Sequence, residues 1–548
     1  MSQLRLSLTL SGAVSLGAYE AGVLAGLLYA VRPLTDGDDP PVIVDVMSGA
    51  SAGSITALLA ARTLLEGHDP RTVMHGAWVE RDSIGNLLAH GGIGADANGG
   101  LLAISSLRDM ATALLDPAGE GVRGPRQSHP IQLSFSVACL RGLEYNLPRL
   151  GREPIMASTF LDFFERELAP GTPAAQITGP PQASLLDAAL ASAANALGFP
   201  PYLLDRAAEW STYQDVGVTN LPPGTTTLWY TDGGTSDNEP LGRTLDLTNR
   251  RDPHGDDAAA RLHLLIHPHP TAAVQDDAWA HRDVQPTFVQ AAVRVLDMQR
   301  SQSLFADLKQ VEKTNTRIAW LARLQQELGG ALAQLSDADQ ALVREALQRV
   351  RSSIDDDHDA LRRQANRPDP GSGSGSGSGS GPGPTTGPTT GPTTGPTADD
   401  SVDEALSAVL AQASGLWEKR QARVDVISPL SLPEARDHSV EEMLSGEVLF
   451  HFGGFLSDTM RQNDFDLGYS STLAWLRAGS LVDAGLDQVS ADRARQAAED
   501  AYRPGDGWKE TGRTTVGSLL AMQPWQTARL VGRLTHVLLH DAMHHPAP

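Results

Sequence analysis

The sequence predicts an α/β fold, with a mostly parallel central sheet, helices on both of its faces and a helical C-terminal region after it. Three observations carry this. Residues 42–46 form the β-branched run Val-Ile-Val-Asp-Val, which enters the tight segment Gly49-Ala50-Ser51-Ala52-Gly53 and then an Ala- and Leu-rich helix over 54–65. That order is strand, sharp turn, helix. Strand-like runs then alternate with helical ones through the first half of the chain, as in a sheet covered on both sides. From residue 286 onward, long helical periodicities replace the strands.

Composition bounds the function. A chain of 548 residues suggests about three to four domains by length alone. Its hydrophobic content of 41% supports a full core, and its net charge is −23. Such a balance excludes sustained nucleic-acid binding, which needs a basic surface, and a polybasic membrane anchor. It leaves room for transient contact with a lipid surface. The single cysteine, Cys139, excludes an internal disulfide. It lies in a strand-like run over 131–139 and reads as a buried structural thiol. The apolar stretch 18–31 is interrupted by Tyr19 and Glu20 and is too short to cross a bilayer. No targeting leader is read, and a cytoplasmic protein, peripheral to membranes at most, is expected.

Taken in order, residues 4–10 alternate Leu with polar residues, the period of a strand. The loop Ser11-Gly12-Ala13-Val14-Ser15-Leu16-Gly17 follows, and a helix runs over 18–31. A Gly-containing loop between strand and helix offers free N–H groups to an anion, either a phosphate or an acyl-transfer oxyanion. A Walker loop would need Gly-Lys-Ser/Thr and a dinucleotide fingerprint G-x-G-x-x-G, and neither pattern is present. Residues 68–130 read as mixed helix and loop, a candidate lid. An Ala-rich helix over 185–196 ends at Gly198-Phe199-Pro200-Pro201. A strand over 226–231 leads into Asp232-Gly233-Gly234, and another strand covers 262–267. Helical patterns occupy about 287–312, 316–335 and 337–364. Residues 366–400 are a Gly/Ser- and Gly-Pro-Thr-rich linker that cannot bury apolar surface. Helices are expected again over 401–423, 491–501 and 516–543. The organisation read is a catalytic unit at 1–285, a helical extension at 286–365, the linker, and a helical region at 401–548 packing on the catalytic unit.

Three of these pieces together resemble the patatin-like phospholipase family, which pairs a G-x-S-x-G serine with a distant D-G-G/A aspartate. In that family a Gly-rich loop after the first strand serves as oxyanion hole. Ser51 matches the nucleophile, Asp232 the base, and Gly49, Gly53, Gly233 and Gly234 the motif glycines. Asn238 and Pro240 stand at the spacing seen after that aspartate, and Phe199-Pro200-Pro201 resembles the Pro-rich segment ahead of it. The matches run from about residue 5 to 270. The resemblance implies a three-layer sandwich and a serine lipid acyl hydrolase. It also implies that Gly12, Ala13 and Val14 form the oxyanion hole, with no cofactor and no metal, and a lipid or fatty-acyl ester as substrate. The loop departs from the family's G-G-G-x-R/K-G: Gly12 and Gly17 align, but Ala13 and Val14 replace glycines and Leu16 the basic residue. Ala and Val keep their amide donors, yet Val tolerates a positive φ badly. The run 446–455, with Arg461-Gln462-Asn463-Asp464-Phe465 and Leu467-Gly468-Tyr469, resembles an extra domain of some bacterial patatin-related proteins. Its aromatic and Gly-rich sequence suits packing against the catalytic unit.

The chemistry these residues suit is acyl transfer, with Asp232 taking the Ser51 proton and the Gly12 loop holding the oxyanion. Two readings compete. One is an α/β-hydrolase triad drawing its base from His263, His267 or His269, in the order Ser, Asp, His. The other is a catalytically silent lipid-binding scaffold, since a motif does not guarantee activity. His536, His540 and His544 share one helical face but lack an H-E-x-x-H pattern, and read as a solvated face.

Overall fold

The computed structural model describes residues 3–502 apart from 38, 82, 90–100, 118–123, 197, 252–259, 270–287, 366–401, 417–418 and 448–452. The linker, the helix expected over 516–543 and the three histidines at 536, 540 and 544 lie outside the described residues.

Strand β1 (Leu4–Leu10) is central because every even position is leucine, and all four leucines are buried in one core. Its parallel neighbours are β2 (Val42–Ala50) and, further along the chain, β7 (Ala260–Ile266). The remaining strands are β3 (Ile131–Arg149), β4 (Arg152–Leu168), β5 (Tyr202–Asp205), β6 (Thr227–Asp232) and β8 (Val424–Ile427). The sheet order is β5-β6-β3-β2-β1-β7-β8, with β4 on β3. The run from β3 to β8 is parallel, whereas β4 and β6 are antiparallel to β3, and β5 is antiparallel to β6. The sheet is therefore mixed, mostly parallel, and flanked by helices. Three features exceed the sequence reading, one of them the short strand β5. The strand expected over 131–139 continues to Arg149 and turns back as β4, making a long hairpin. A strand after the linker, β8, extends the sheet beyond β7; at four residues it offers too little periodicity to register.

Helices α1 (Gly17–Val31) and α2 (Ala52–Glu66) follow β1 and β2, with α3 (Leu185–Ser192) beside α2. On the other side of β1, α4 (Leu241–Arg251) meets the odd-numbered side chains: Thr9 Oγ1 lies 2.7 Å from Thr244 Oγ1. The helical stretch Val14–Leu34 is long and apolar enough to cross a membrane by length and composition, contrary to the expectation from 18–31. It is 94% buried inside the fold, as a core helix is. Then come α5 (Phe288–Leu332), α6 (Asp337–Ala365), α7 (Val402–Ala413), α8 (Asp458–Arg477) and α9 (Gln488–Ala501).

Helix α8 lies against α1 with backbones almost touching. A Cβ on Gly22 would come within 1.9 Å of the Phe465 carbonyl oxygen, and one on Gly468 within 2.0 Å of that of Tyr19. Thr472 Oγ1 donates to the Val23 carbonyl (3.0 Å). Buried Arg461 ties α8 onward to the Val79 carbonyl (2.9 and 3.0 Å) and to that of Gly454 (2.8 Å). Asp464 accepts the Ser445 and Gly446 amides (2.7 and 2.9 Å).

Two stability predictions follow from this seam. Gly22→Val drives a side chain into α8 backbone and should cost at least about 3 kcal/mol by chemical denaturation. Gly330→Ala, with nothing within 4 Å of its Cβ, should instead gain up to about 1 kcal/mol from helix propensity. Burial pushes the Asp464 carboxyl up from 3.8 to about 7. The unfolded chain ionises it first, so stability should fall as pH rises from about 4 to about 7, by a few kcal/mol at most, and stay level above. Melting curves across that range should show this slope, and Asp464→Asn should make it shallower, the buried carboxyls of Asp237 and Glu20 contributing the remainder.

Candidate active site

The site forms where two strands meet end to end. Strand β4 occupies one edge of β3 over residues 131–138, so β2 and β6 must share the other edge. They approach from opposite directions: Ala50, the end of β2, faces Ser136, and Asp232, the end of β6, faces Val137. Neighbouring residues on β3 are about 3.4 Å apart along the strand. Ser51, one residue past Ala50, therefore comes to the same point of the sheet as Asp232, although 180 residues separate them in sequence.

Ser51 takes φ 51° and ψ −125°, a conformation that costs roughly 1–3 kcal/mol and needs outside support. The support is visible. A Cβ on Gly49 would lie 2.5 Å from the Gly53 carbonyl oxygen, and one on Gly53 2.6 Å from that of Ser11. Both glycines are therefore required by close approach. The Ser51 amide donates to Ser192 Oγ (2.9 Å), which also accepts the Ser54 hydroxyl (2.7 Å) and donates to the Ser136 carbonyl (2.7 Å). Ser192 thus clamps the turn to β3.

Asp232 is held through both carboxylate oxygens. Asn195 Nδ2 donates to Oδ2 (2.8 Å) and the Gly234 amide to Oδ1 (2.9 Å). A Cβ on Gly233 would strike the Ser136 carbonyl oxygen at 1.9 Å. Ser51 and Asp232 are 4% and 3% exposed, so both lie on a buried floor.

The loop after β1 closes over this floor. A Cβ on Gly12 would be 2.2 Å from Asn238 Oδ1 and 3.2 Å from the Ser51 Cβ, which places Gly12 against both. The Gly12 amide, however, donates to the Asn238 carbonyl (2.8 Å). It is thus not free for an oxyanion, contrary to the sequence expectation; Gly12 serves by lacking a side chain. The Ala13 and Val14 amides have no acceptor among the described residues. Val14 stands at φ 51° while 8% exposed: the loop does adopt the conformation valine resists. Gly17 lies under the Trp78 ring, 2.4 Å from its would-be Cβ.

Residues that the motifs did not flag hold this loop. Glu239 accepts Asn238 Nδ2 (2.5 Å) and His267 Nε2 (2.9 Å), while His267 Nδ1 accepts the His269 amide (2.7 Å). Both ring nitrogens of His267 are thereby engaged. His263 lies at mid-strand, 2.6 Å from Ser7 Oγ, and burial beside Arg261 pushes its pKa down to about 3. Neither histidine is placed to serve Ser51, so the triad reading loses them. Ser11 Oγ donates to Glu20 (2.9 Å), whose carboxyl burial pushes well above the usual range. Asp237 is pushed up to about 7 by burial and by the charges of Asp307 and Glu239. From the C-terminal side, the Gly454 amide donates to Ser15 Oγ (3.0 Å), and the Gly446 turn abuts Leu16. Asn195 and Ser192 were legible only as polar residues in an Ala-rich run before Pro200-Pro201.

The patatin-like phospholipase family model matches residues 8–245. No curated protein matches the chain. Among solved structures, the chain is similar to VipD from Legionella pneumophila at 11% identity and TM-score 0.19, covering 92% of this chain and 93% of that one. It is similar to the type III effector protein ExoU at 14% identity and TM-score 0.16, covering 96% and 94%. Likenesses at these TM-scores carry neither fold nor function.

The strain at Val14 is measurable. Val14→Gly loses buried methyl groups but relieves a positive φ, and should cost under about 1 kcal/mol. Val44→Gly, in the buried middle of β2, should cost more than about 3 kcal/mol by the same denaturation measurement.

Proposed function

We propose, on the match of residues 8–245 to the patatin-like phospholipase family model, a serine lipid acyl hydrolase working through Ser51 and Asp232. The observation that carries the reading is the end-to-end meeting of β2 and β6 on one edge of β3. It delivers a hydroxyl on a strained turn and a doubly held carboxylate to one buried point.

Asp232 takes the Ser51 proton as Oγ attacks the ester carbonyl carbon, and the carbonyl oxygen becomes an oxyanion. The Ala13 and Val14 amides, at the entrance to α1, are the donors for that charge, aided by the helix N-terminus. The tetrahedral species collapses, the alcohol leaves with the proton from Asp232, and Ser51 stays acylated. Water, deprotonated by Asp232, then attacks the acyl carbon; the free acid departs and Ser51 recovers its proton. A carboxylate is a weak base for a hydroxyl, so the pair depends on proximity and on exclusion of water. Asn195 is a positioning residue here: it fixes which oxygen of Asp232 faces the serine.

Ser51→Ala should lower hydrolysis of a p-nitrophenyl acyl ester by at least about a thousandfold and abolish fluorophosphonate labelling, with the melting temperature nearly unchanged. Labelling that persists in that variant, or unaltered hydrolysis, removes Ser51 from the mechanism. Wild type that fails to label is a silent scaffold. Asn195→Ala should lower kcat by about tenfold to a hundredfold with KM little changed, since a loss of orientation acts on the reacting step.

A further inference from the structure

The segment between the Asp232 turn and α4 joins the two halves of the site. Its backbone is tied to both. The Asp237 amide donates to the Gly233 carbonyl (2.9 Å), Ser136 Oγ donates to the Asp237 carbonyl (3.0 Å), and the Gly12 amide donates to the Asn238 carbonyl (2.8 Å). The buried Asn238 side chain enters the space between the Gly12 loop and the Asp232 turn. A Cβ on Gly12 would lie 2.2 Å from Asn238 Oδ1. One on Gly234 would lie 2.5 Å from the same oxygen and 3.2 Å from Asp232 Oδ1. A single carboxamide therefore fills the room that both glycines leave, with the loop on one side of it and the turn that carries Asp232 on the other.

Which way that carboxamide faces is decided from behind. Glu239 Oε1 accepts both Asn238 Nδ2 (2.5 Å) and His267 Nε2 (2.9 Å), and His267 Nδ1 accepts the His269 amide (2.7 Å). A backbone N–H can only donate, so the imidazole carries its proton on Nε2 and offers it to Glu239. With Glu239 Oε1 receiving two N–H groups, Asn238 turns its NH2 to the carboxylate and its oxygen to the two glycines. No link in this series can be reversed alone without leaving a buried polar atom unpaired. The Glu239 and His267 side chains are 1% and 9% exposed, and at such burial an unmade hydrogen bond costs about 1–3 kcal/mol.

We propose that Asn238 is a positioning residue for the acyl transfer, its carboxamide setting the separation of the Gly12 loop from Asp232, and that Glu239 and His267 act through it. The proposal rests on the lipid acyl hydrolase reading and deepens it. Ala13 and Val14, the oxyanion donors of that reading, follow Gly12 directly, so the spacer fixes where they stand relative to the base. A shift of about 1 Å between such groups is enough to slow the reacting step. His267 contributes by holding Glu239, and takes no proton from Ser51.

The experiment measures kcat and KM on a p-nitrophenyl acyl ester with the full chain. Glu239→Leu and His267→Leu should each lower kcat by about tenfold to a hundredfold and change KM by less than about twofold. Glu239→Gln, which keeps an acceptor oxygen at the same reach, should recover most of the lost rate. Combining Glu239→Leu with His267→Leu should cost no more than about twofold beyond the slower single variant, since both changes release the same carboxamide. Histidine 15N NMR, with the His267 signal identified by its absence from His267→Leu, should show that ring protonated on Nε2 and bare on Nδ1. An unchanged kcat, a rise in KM alone, losses that multiply in the double variant, a Glu239→Gln enzyme as slow as Glu239→Leu, or a ring protonated on Nδ1 overturns the proposal. A loss in His267→Leu as deep as that in Ser51→Ala also overturns it and marks the imidazole as a base. Should Glu239→Leu fail to fold, His267→Leu decides by the same split of kcat from KM. Wild type that hydrolyses no ester overturns the hydrolase reading itself, whereas wild type that hydrolyses through Ser51 and is matched by these variants overturns only the positioning role.

Discussion

The constraint on which the rest depends is that β3 has only two edges. Strand β4 takes one of them along residues 131–138, so β2 and β6 must divide the other. Two antiparallel approaches to one edge can only end facing each other, and here they end at Ala50 and Asp232. Both residues owe their positions to strand pairing rather than to a flexible loop. The geometry is fixed by backbone hydrogen bonds, which is the most rigid support a fold offers a site. What remains is to turn the serine sharply upward, and the fold does so with two glycines where no side chain fits and with one hydroxyl, that of Ser192, bonded three ways.

The loop above the pair is held in the same manner but from further away. Val14 would leave φ 51° if released, because a β-branched side chain is crowded there. Its neighbours forbid it. The Gly12 amide is tied to Asn238, Asn238 to Glu239, and Glu239 to His267. Ser15 is tied to Gly454, across more than 400 residues of sequence. The same C-terminal segment packs closely on α1 through α8. Gly22 and Gly468 draw α8 inward. The C-terminal run is thus part of the loop's support, reached through helix packing.

Much of this was legible in the sequence. The strand–turn–helix around Ser51, the Asp232 turn and the helix after the Gly12 loop are local patterns, and local patterns survive folding when each agrees with the whole. The sequence makes Val14 a doubtful residue for a positive φ, and the structure holds it at φ 51° all the same. What could not be read is what depends on pairing between distant segments. Nothing near Gly12 says that its amide will bond to Asn238, and nothing near Asn195 says that it will hold Asp232. The hairpin beyond Cys139 escapes for a different reason: its outer residues follow no polar–apolar alternation, and Pro148, Gly151 and Pro154 crowd its turn.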